Sequence, residues 1–413
     1  MSIPPEQLKQ LIREHGTPLW IYDADAIRRR IAQLRPFDVV RYAQKANSNV
    51  HILRLMRDEG VRVDAVSQGE IQRSLAAGYR GEDDGIVFTA DLIDHATLAT
   101  VIEHGIAVNA GSLDMLERVG LNAPGHRVWL RINPGFGHGH SNKTNTGGEH
   151  SKHGIWHSDA ARAIEIIERH SLQLVGIHIH IGSGVDYEHL ARVCGTMTET
   201  VKRLGHDIEA ISAGGGLSVP YQDGELEVDV EHYFHLWDGA RREIAQHLGH
   251  PVRLEIEPGR FLVAQSGLLA SEIHVVKDTP AHRFALVDAG FNDLVRPSFY
   301  GSYHAITLLA HDDEDIGKRP ERMVVVAGPL CESGDVFTQK AGGAISGQRL
   351  PEPRVGDYLL LHDAGAYGAS MSSNYNSRPL APEVLVENGA ARLIRRRQTL
   401  GDLLALETGS DAR

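Results

Sequence analysis

From residue 38 onward the chain repeats one pattern, in which a short apolar or β-branched run ends in small or polar residues and a stretch with helical spacing follows. The runs are DVVRYAQK, VRVDAVS, GIVFTA, IAVNAG, RVWLRINPG, LVGIHIHIG, IEAISAGGG and VRLEIEPG, which makes eight candidate strands. Between them Ile52, Leu55 and Met56 precede Gly60, and Leu98, Val101 and Ile102 precede Gly105, each glycine suited to end a helix. The first five strand ends fall near residues 45, 67, 90, 110 and 133, about one βα unit apart. Eight such units close a parallel (β/α)8 barrel of the TIM type, expected here over residues 25–268. The competing architecture is an open doubly wound sheet, weakened because no GxGxxG follows the first strand.

After residue 268 the pattern changes to short alternating runs, SEIHVV, HRFALVDAG, RMVVVAGPL and DYLLLHDAG. PEVLVENGAARLIRRR adds a hairpin, since Asn388 and Gly389 accept the positive φ angles of a type I′ turn. A second, mostly β domain, sandwich- or barrel-like, is therefore expected. Leu19, Trp20, Ile21 and Tyr22 are placed to join it, which would make it discontinuous, residues 1–24 plus 269–413. One barrel interval is unusually long, NPGFGHGHSNKTNTGGEHSKHGIW. Its first reading is a lid over the barrel mouth and its second a mobile surface excursion.

Charge narrows the partners. With 42 Lys plus Arg against 54 Asp plus Glu, the net charge of −12 argues against general binding of nucleic acid or anionic membranes. A local cationic pocket for a small anion stays open. No apolar run approaches the ~18 residues of a membrane span, and MSIPPEQLKQLIREHG lacks the form of a secretory signal. Two cysteines, Cys194 and Cys331, are too few for a disulfide framework and form no CxxC zinc pair, so a reducing cytoplasm is the expected compartment and no metal is expected.

In such a barrel the active site lies at the C-terminal ends of the strands, so the strand-end residues belong together. Strand one ends in YAQKAN, and Lys45 there is a plausible Schiff-base amine. Strand seven ends in Gly214, Gly215 and Gly216, where backbone N–H groups can approach a phosphate. Strand eight ends in Glu257, Pro258, Gly259 and Arg260, beside the recurring phosphate site of these barrels. His178 and His180, two apart on strand six, project from one face. They read as core histidines, as metal ligands, or as an imidazole stacked on a flat ring. The ring reading gives the lysine, the glycines and the EPGR turn a shared purpose. An amine for an aldehyde, a phosphate cradle, an acidic partner and a flat-ring neighbour together describe pyridoxal 5'-phosphate.

The motifs YAQKANSN, DAVSQGE, HIHIGSG, AGGG, IEPGRFLVAQSG, GPLCESGDVF and DAGAYGASMSSNYNSRP, in this order over roughly residues 16 to 405, resemble those of the fold-type III pyridoxal phosphate decarboxylases. Gln68 departs from the smaller residue of many relatives, and the N-terminal extension is short. The resemblance implies that Lys45 holds the cofactor covalently and that His180 stacks on the pyridine ring. It places Ser183, Gly214, Gly215, Gly216, Gly259, Arg260 and Tyr367 around the phosphate and Glu257 at the pyridine nitrogen. It gives Arg260, Arg296, Tyr300, Glu332 and Tyr367 to the substrate, makes Cys331 the proton donor, and leaves Asp64 and Arg131 lining the mouth. It further implies a homodimer with shared active sites, and decarboxylation of meso-diaminopimelate at its D centre to L-lysine and carbon dioxide, the last step of lysine biosynthesis.

Two kinds of rival remain at this level. One is another decarboxylase of the same fold acting on ornithine, arginine or carboxynorspermidine. Those substrates end in a cation alone, whereas Arg296 with Glu332 suits an end bearing both carboxylate and ammonium. The other is a catalytically silent regulator, which would be expected to lose Lys45, the glycines or Cys331.

Overall fold

A computed structural model describes residues 3–137, 147–180, 182, 186–312 and 314–408. The chain divides into two compact units, one of Arg30–Val219 and Glu227–Leu262, the other of Met1–Arg29, Pro220–Leu226 and Val263–Arg413.

The first unit is a closed parallel barrel. Its strands one to eight are Val39–Ala43, Arg62–Ala65, Ile86–Ala90, Ala107–Ala110, Arg127–Asn133, Gln173–His178, Ala210–Ser212 and Arg253–Ile256. Each pairs in parallel with the next, and strand eight returns to strand one through Glu255↔Val39 and Ile256↔Val40. All eight expected strands are thus present, and the open-sheet alternative is excluded by the closure. The runs are apolar almost throughout because both faces are covered, as parallel strands require. Val87, Ala107, Trp129, Val175 and Ala210, one from each of strands three to seven, form a buried cluster.

Six barrel helices begin on a residue whose side chain accepts a backbone N–H of the first turn: Asn49, Ser67, Asp94, Ser112, Asp186 and Asp229. Each such cap is worth about 1 kcal/mol and sharpens the strand-to-helix turn. Sharp turns at this end fix where the strand-end side chains point.

The long interval after strand five is only partly described, since residues 138–146 lie outside the described range and part of the expected lid falls there. Its two ends are tied to the last residue of strand five. Asn133 donates to the carbonyls of Gly148 and His153 and accepts the N–H groups of Gly135 and Gly148. A two-residue strand not anticipated from sequence, Ile155–Trp156, then pairs with strand five.

The second unit holds a nine-stranded, mostly antiparallel sheet. Leu19–Asp23 lies antiparallel to Gly267–Asp278 and parallel to Glu383–Glu387, so the N-terminal run does join the β unit. Helix Pro5–His15 sends Leu8, Leu11 and Ile12 into a core with Leu19, Ile21, Leu268, Ala270, Leu360 and Val384. Asn388 and Gly389, at φ 50° and 77°, turn Glu383–Glu387 into Ala390–Arg395. Four elements of this unit went unread in the sequence: the strands Ile306–Leu309 and Gln348–Pro351, the helix Leu400–Thr408, and the segment Pro220–Leu226, which packs with the β unit. Among the described residues no helix is long and apolar enough to cross a membrane.

Candidate active site

Lys45 sits in a single 3-10 turn, Gln44–Ala46, directly after strand one, and is exposed. That turn is held from below: the Tyr42 hydroxyl donates to the Asn47 carbonyl at 2.9 Å and the Gln44 amide to Ser74 Oγ at 2.8 Å. The end of strand eight presses against it. Ala43 N–H donates to the Pro258 carbonyl at 3.2 Å, and a Cβ on Gly259 would stand 3.0 Å from the Ala43 carbonyl oxygen. Gly259 therefore lets the EPGR turn approach the turn that carries Lys45.

Glu257, buried just past strand eight, is gripped from two neighbouring strands. His178 Nε2 lies 2.8 Å from Oε2, and Ser212 Oγ donates to Oε1 at 3.2 Å. Burial alone would raise this carboxyl. The field and hydrogen bond of His178, with the field of Arg41, outweigh burial and hold it below the usual carboxylate range. Arg41 is itself fully buried within the barrel, paired with Glu255 at 2.6 Å and Asp84 at 2.8 Å.

Asp64, at the end of strand two, goes the other way. Burial first and the negative Glu257 second push its carboxyl well above the usual range, against the pull of Lys45 and a Thr89 hydrogen bond. The two carboxyls are driven in opposite directions, Glu257 toward the ionised form and Asp64 toward the protonated one. Arg131, buried at the end of strand five, faces Asp91, Glu257 and Asp64. Asp91 also bonds the His153 ring; burial raises its carboxyl, and that bond with the Arg131 field more than offsets the effect.

His180 stands past strand six, whose ladder stops at His178, so the two histidines do not sit on one strand face as the spacing suggested. Gly215 N–H donates to His180 Nδ1 at 3.2 Å, which leaves the ring proton on Nε2. Burial, then Arg131 and Lys45, keep the ring well below its ordinary pKa and hence neutral. Gly214 and Gly216 take φ of +62° and +107°, and added Cβ atoms at positions 214, 215 and 216 would meet backbone oxygens at 2.7, 2.6 and 2.4 Å. The turn borders a small pocket lined also by Gly182, Leu190 and Trp237. Ser183 lies outside the described residues. Arg260 opens the short helix Arg260–Val263 and is half-buried.

The glycine turn yields a test. Gly216→Ala forces a side chain into positive φ and against the Gly182 carbonyl, at a cost of about 1–3 kcal/mol, and should lower Tm by roughly 5 °C. Gly195→Ala, in helix Tyr187–Leu204 with nothing within 4 Å, should instead raise Tm slightly. Differential scanning calorimetry on both variants checks the contrast.

The remaining expected residues belong to the β unit. Arg296 opens the short helix Arg296–Tyr300 and is buried. Its Nη1 meets His304 Nε2 at 2.9 Å, its Nη2 meets Ser302 Oγ at 3.4 Å, and its guanidinium lies 4.8 Å from the Tyr221 ring centroid. Because Arg296 only donates, His304 Nε2 accepts, and its Nδ1–H donates to the His362 carbonyl at 2.8 Å. Tyr300 is half-buried, while Cys331 and Glu332 are exposed on a turn organised by Asp335. That carboxylate accepts the N–H groups of Phe291 and Leu330, and Cys331 N–H donates to Asn376 Oδ1 at 3.1 Å. Tyr367 is half-buried and takes φ of +57°, a strained value for a residue with a side chain. Sequence reasoning missed Ser212, Tyr221 and His304. Only Ser212 carried a signal, its place two residues before the glycines.

Residues 24–264 match the family described as "Pyridoxal-dependent decarboxylase, pyridoxal binding domain". A protein of Escherichia coli (strain K12) named diaminopimelate decarboxylase is 66% identical over 408 residues, covering 98% of this chain and 97% of its own length. The chain belongs to the diaminopimelate decarboxylases. A crystal structure of a diaminopimelate decarboxylase superposes with a TM-score of 0.95 at 65% identity, over 98% of this chain and 96% of that one. The diaminopimelate decarboxylase of Helicobacter pylori, crystallised in complex with L-lysine, superposes with a TM-score of 0.84 at 32% identity, over 97% and 99%. A barrel followed by a mostly β unit is therefore the fold this decarboxylase shares with its family.

Proposed function

We propose that this decarboxylase is a cytoplasmic homodimer that holds pyridoxal 5'-phosphate on Lys45 and releases carbon dioxide from the D centre of meso-diaminopimelate, leaving L-lysine. The observation that carries the reading is the meeting of strand ends: Lys45 on the turn that Gly259 lets the EPGR segment approach, and Glu257 held by His178 at 2.8 Å and Ser212 at 3.2 Å next to the glycine turn. An ionised carboxylate suits a pyridinium nitrogen, and a neutral imidazole suits the face of its ring. The glycine turn suits the phosphate, because Cβ atoms there would meet the carbonyl oxygens of Ile179, Glu257 and Gly182, so only a turn without side chains, its backbone left uncovered, fits at this place.

Bound there, pyridoxal phosphate supplies an electron sink for the pair left on Cα when carbon dioxide departs. The chain's own residues do the rest. Lys45 would hold the cofactor's aldehyde carbon through its amine. Gly214, Gly215, Gly216, Gly259, Arg260 and Tyr367 anchor the phosphate end; Ser183 is assigned there on the family resemblance. Glu257 keeps the ring nitrogen protonated. The Cys331 thiol, supplied by the second subunit, delivers the proton to Cα. Arg296 and Tyr300 hold the distal carboxylate and Glu332 the distal ammonium. An exposed free thiol at Cys331 suits a reducing compartment.

Substrate choice is the sharpest test. Purified, cofactor-loaded protein is offered meso-diaminopimelate, ornithine, arginine and lysine, with carbon dioxide and the amine product both measured. Diaminopimelate alone should give carbon dioxide in equal amount with L-lysine. Faster release from ornithine or arginine would overturn the substrate, and no release from any of them would overturn the reaction.

A further inference from the structure

His178 carries no role so far, although the HxH spacing singled it out. Strands six, seven and eight are neighbours, and the register sets His178 directly beside Ser212 and Ser212 beside Glu255. At their ends His178 Nε2 meets Glu257 Oε2 at 2.8 Å, and Ser212 Oγ meets Oε1 at 3.2 Å. The same Ser212 hydroxyl accepts Gly214 N–H at 3.1 Å, and Glu257 N–H donates to the Gly214 carbonyl at 2.8 Å. The glycine turn and the carboxylate are therefore tied into one unit, with each carboxylate oxygen given its own donor from a separate strand. His178 is 1% exposed, and its Nδ1 has no hydrogen-bond partner among the described residues, so its one directed bond is the one to Glu257.

We infer that His178 is the positioning residue for Glu257, aiming the carboxylate at the cofactor's ring nitrogen through its bond to Oε2, with Ser212 linking that aim to the phosphate-binding turn. The inference rests on the assignment of Glu257 to the ring nitrogen. The other charged and titratable groups facing Glu257 are Arg41 from strand one, Asp64 from strand two, Arg131 from strand five and His180 after strand six. None of them shares a hydrogen bond with it among the described residues, which leaves orientation to His178 and Ser212.

The test compares His178→Leu, which removes the donor, with His178→Gln, which returns an N–H at similar reach. Each is measured alone and combined with Glu257→Gln. In the loaded enzyme kcat, KM, the pH profile of kcat and the visible absorption of the bound cofactor are recorded. His178→Leu should lower kcat about 10- to 100-fold with KM little changed. It should also move the acid limb of kcat upward by about one pH unit, because a carboxylate without its donor takes a proton more readily. The absorption bands should shift with it. His178→Gln should restore most of the rate and the position of the limb. The Leu and Glu257→Gln lesions should not multiply in the double variant, since both act through one carboxylate. Should His178→Leu fail to fold, His178→Asn, polar but too short to reach, takes its place with the same expectations. An acid limb that stays put, or lesions that multiply, overturns the role of His178. Wild-type turnover in Glu257→Gln overturns the ring-nitrogen assignment, and this inference with it.

Discussion

Lys45→Ala and Cys331→Ala homodimers should each be nearly inactive, and mixing them should return about a quarter of wild-type turnover. The two residues fall in different compact units, Lys45 in the barrel and Cys331 on an exposed turn of the β unit. If the proton donor comes from the other subunit, each site needs Lys45 from one chain and Cys331 from its partner. In a hybrid dimer one site has lost both and the other has lost neither. Random reassortment of equal amounts makes about half the dimers hybrids, each with one of its two sites intact, so roughly a quarter of the activity returns. Native mass spectrometry confirms the exchange. A mixture as inactive as its parents would place Cys331 within its own chain's site, or outside the chemistry.

Arg296→Ala should lower kcat/KM for meso-diaminopimelate by about 30-fold or more, since truncating one partner of a buried charge pair costs several kcal/mol, about 2–5. Most of the loss should appear in KM. Arg296 is buried against the Tyr221 ring, with one arm on His304 and the other on Ser302, so its guanidinium has little freedom to lose when a carboxylate binds. Arg296→Lys should lose about tenfold, because it keeps the charge and gives up the fork. Both variants should keep the visible absorption of the loaded cofactor, which separates a substrate defect from a cofactor defect. A kcat/KM at the wild-type value in Arg296→Ala would leave Arg296 a packing residue of the β unit.

What could be seen in the sequence depended on how far apart cooperating residues lie. Each barrel strand is a local pattern of β-branched residues closed by a small or polar cluster, and all eight were visible for that reason. Ile306–Leu309 and Gln348–Pro351 are four residues each and carry no such contrast with their surroundings, so they were not. In the site, Lys45, the three glycines and Glu257 announced themselves as strand ends. The grip on Glu257 did not, because His178 and Ser212 precede it by 79 and 45 residues and meet it only when strands six, seven and eight lie side by side. Nor could sequence say that the Asp64 carboxyl is pushed up and the Glu257 carboxyl held down. That split follows from which of two buried carboxyls receives His178 and the field of Arg41.

The strand Leu19–Asp23 lies between two partners that are made much later, pairing Leu19 with Ala270 and Trp20 with Glu383. On the ribosome, at roughly 5–20 residues per second, those later strands arrive tens of seconds after it. Residues 30–262 can meanwhile assemble the whole barrel, while LWIY, buried along its full length in the finished protein, waits without a sheet to enter. The nascent chain thus carries an apolar, strand-forming segment without its sheet until first Gly267–Asp278 and then Glu383–Glu387 are made, and chaperones that hold extended apolar segments have their longest opportunity there.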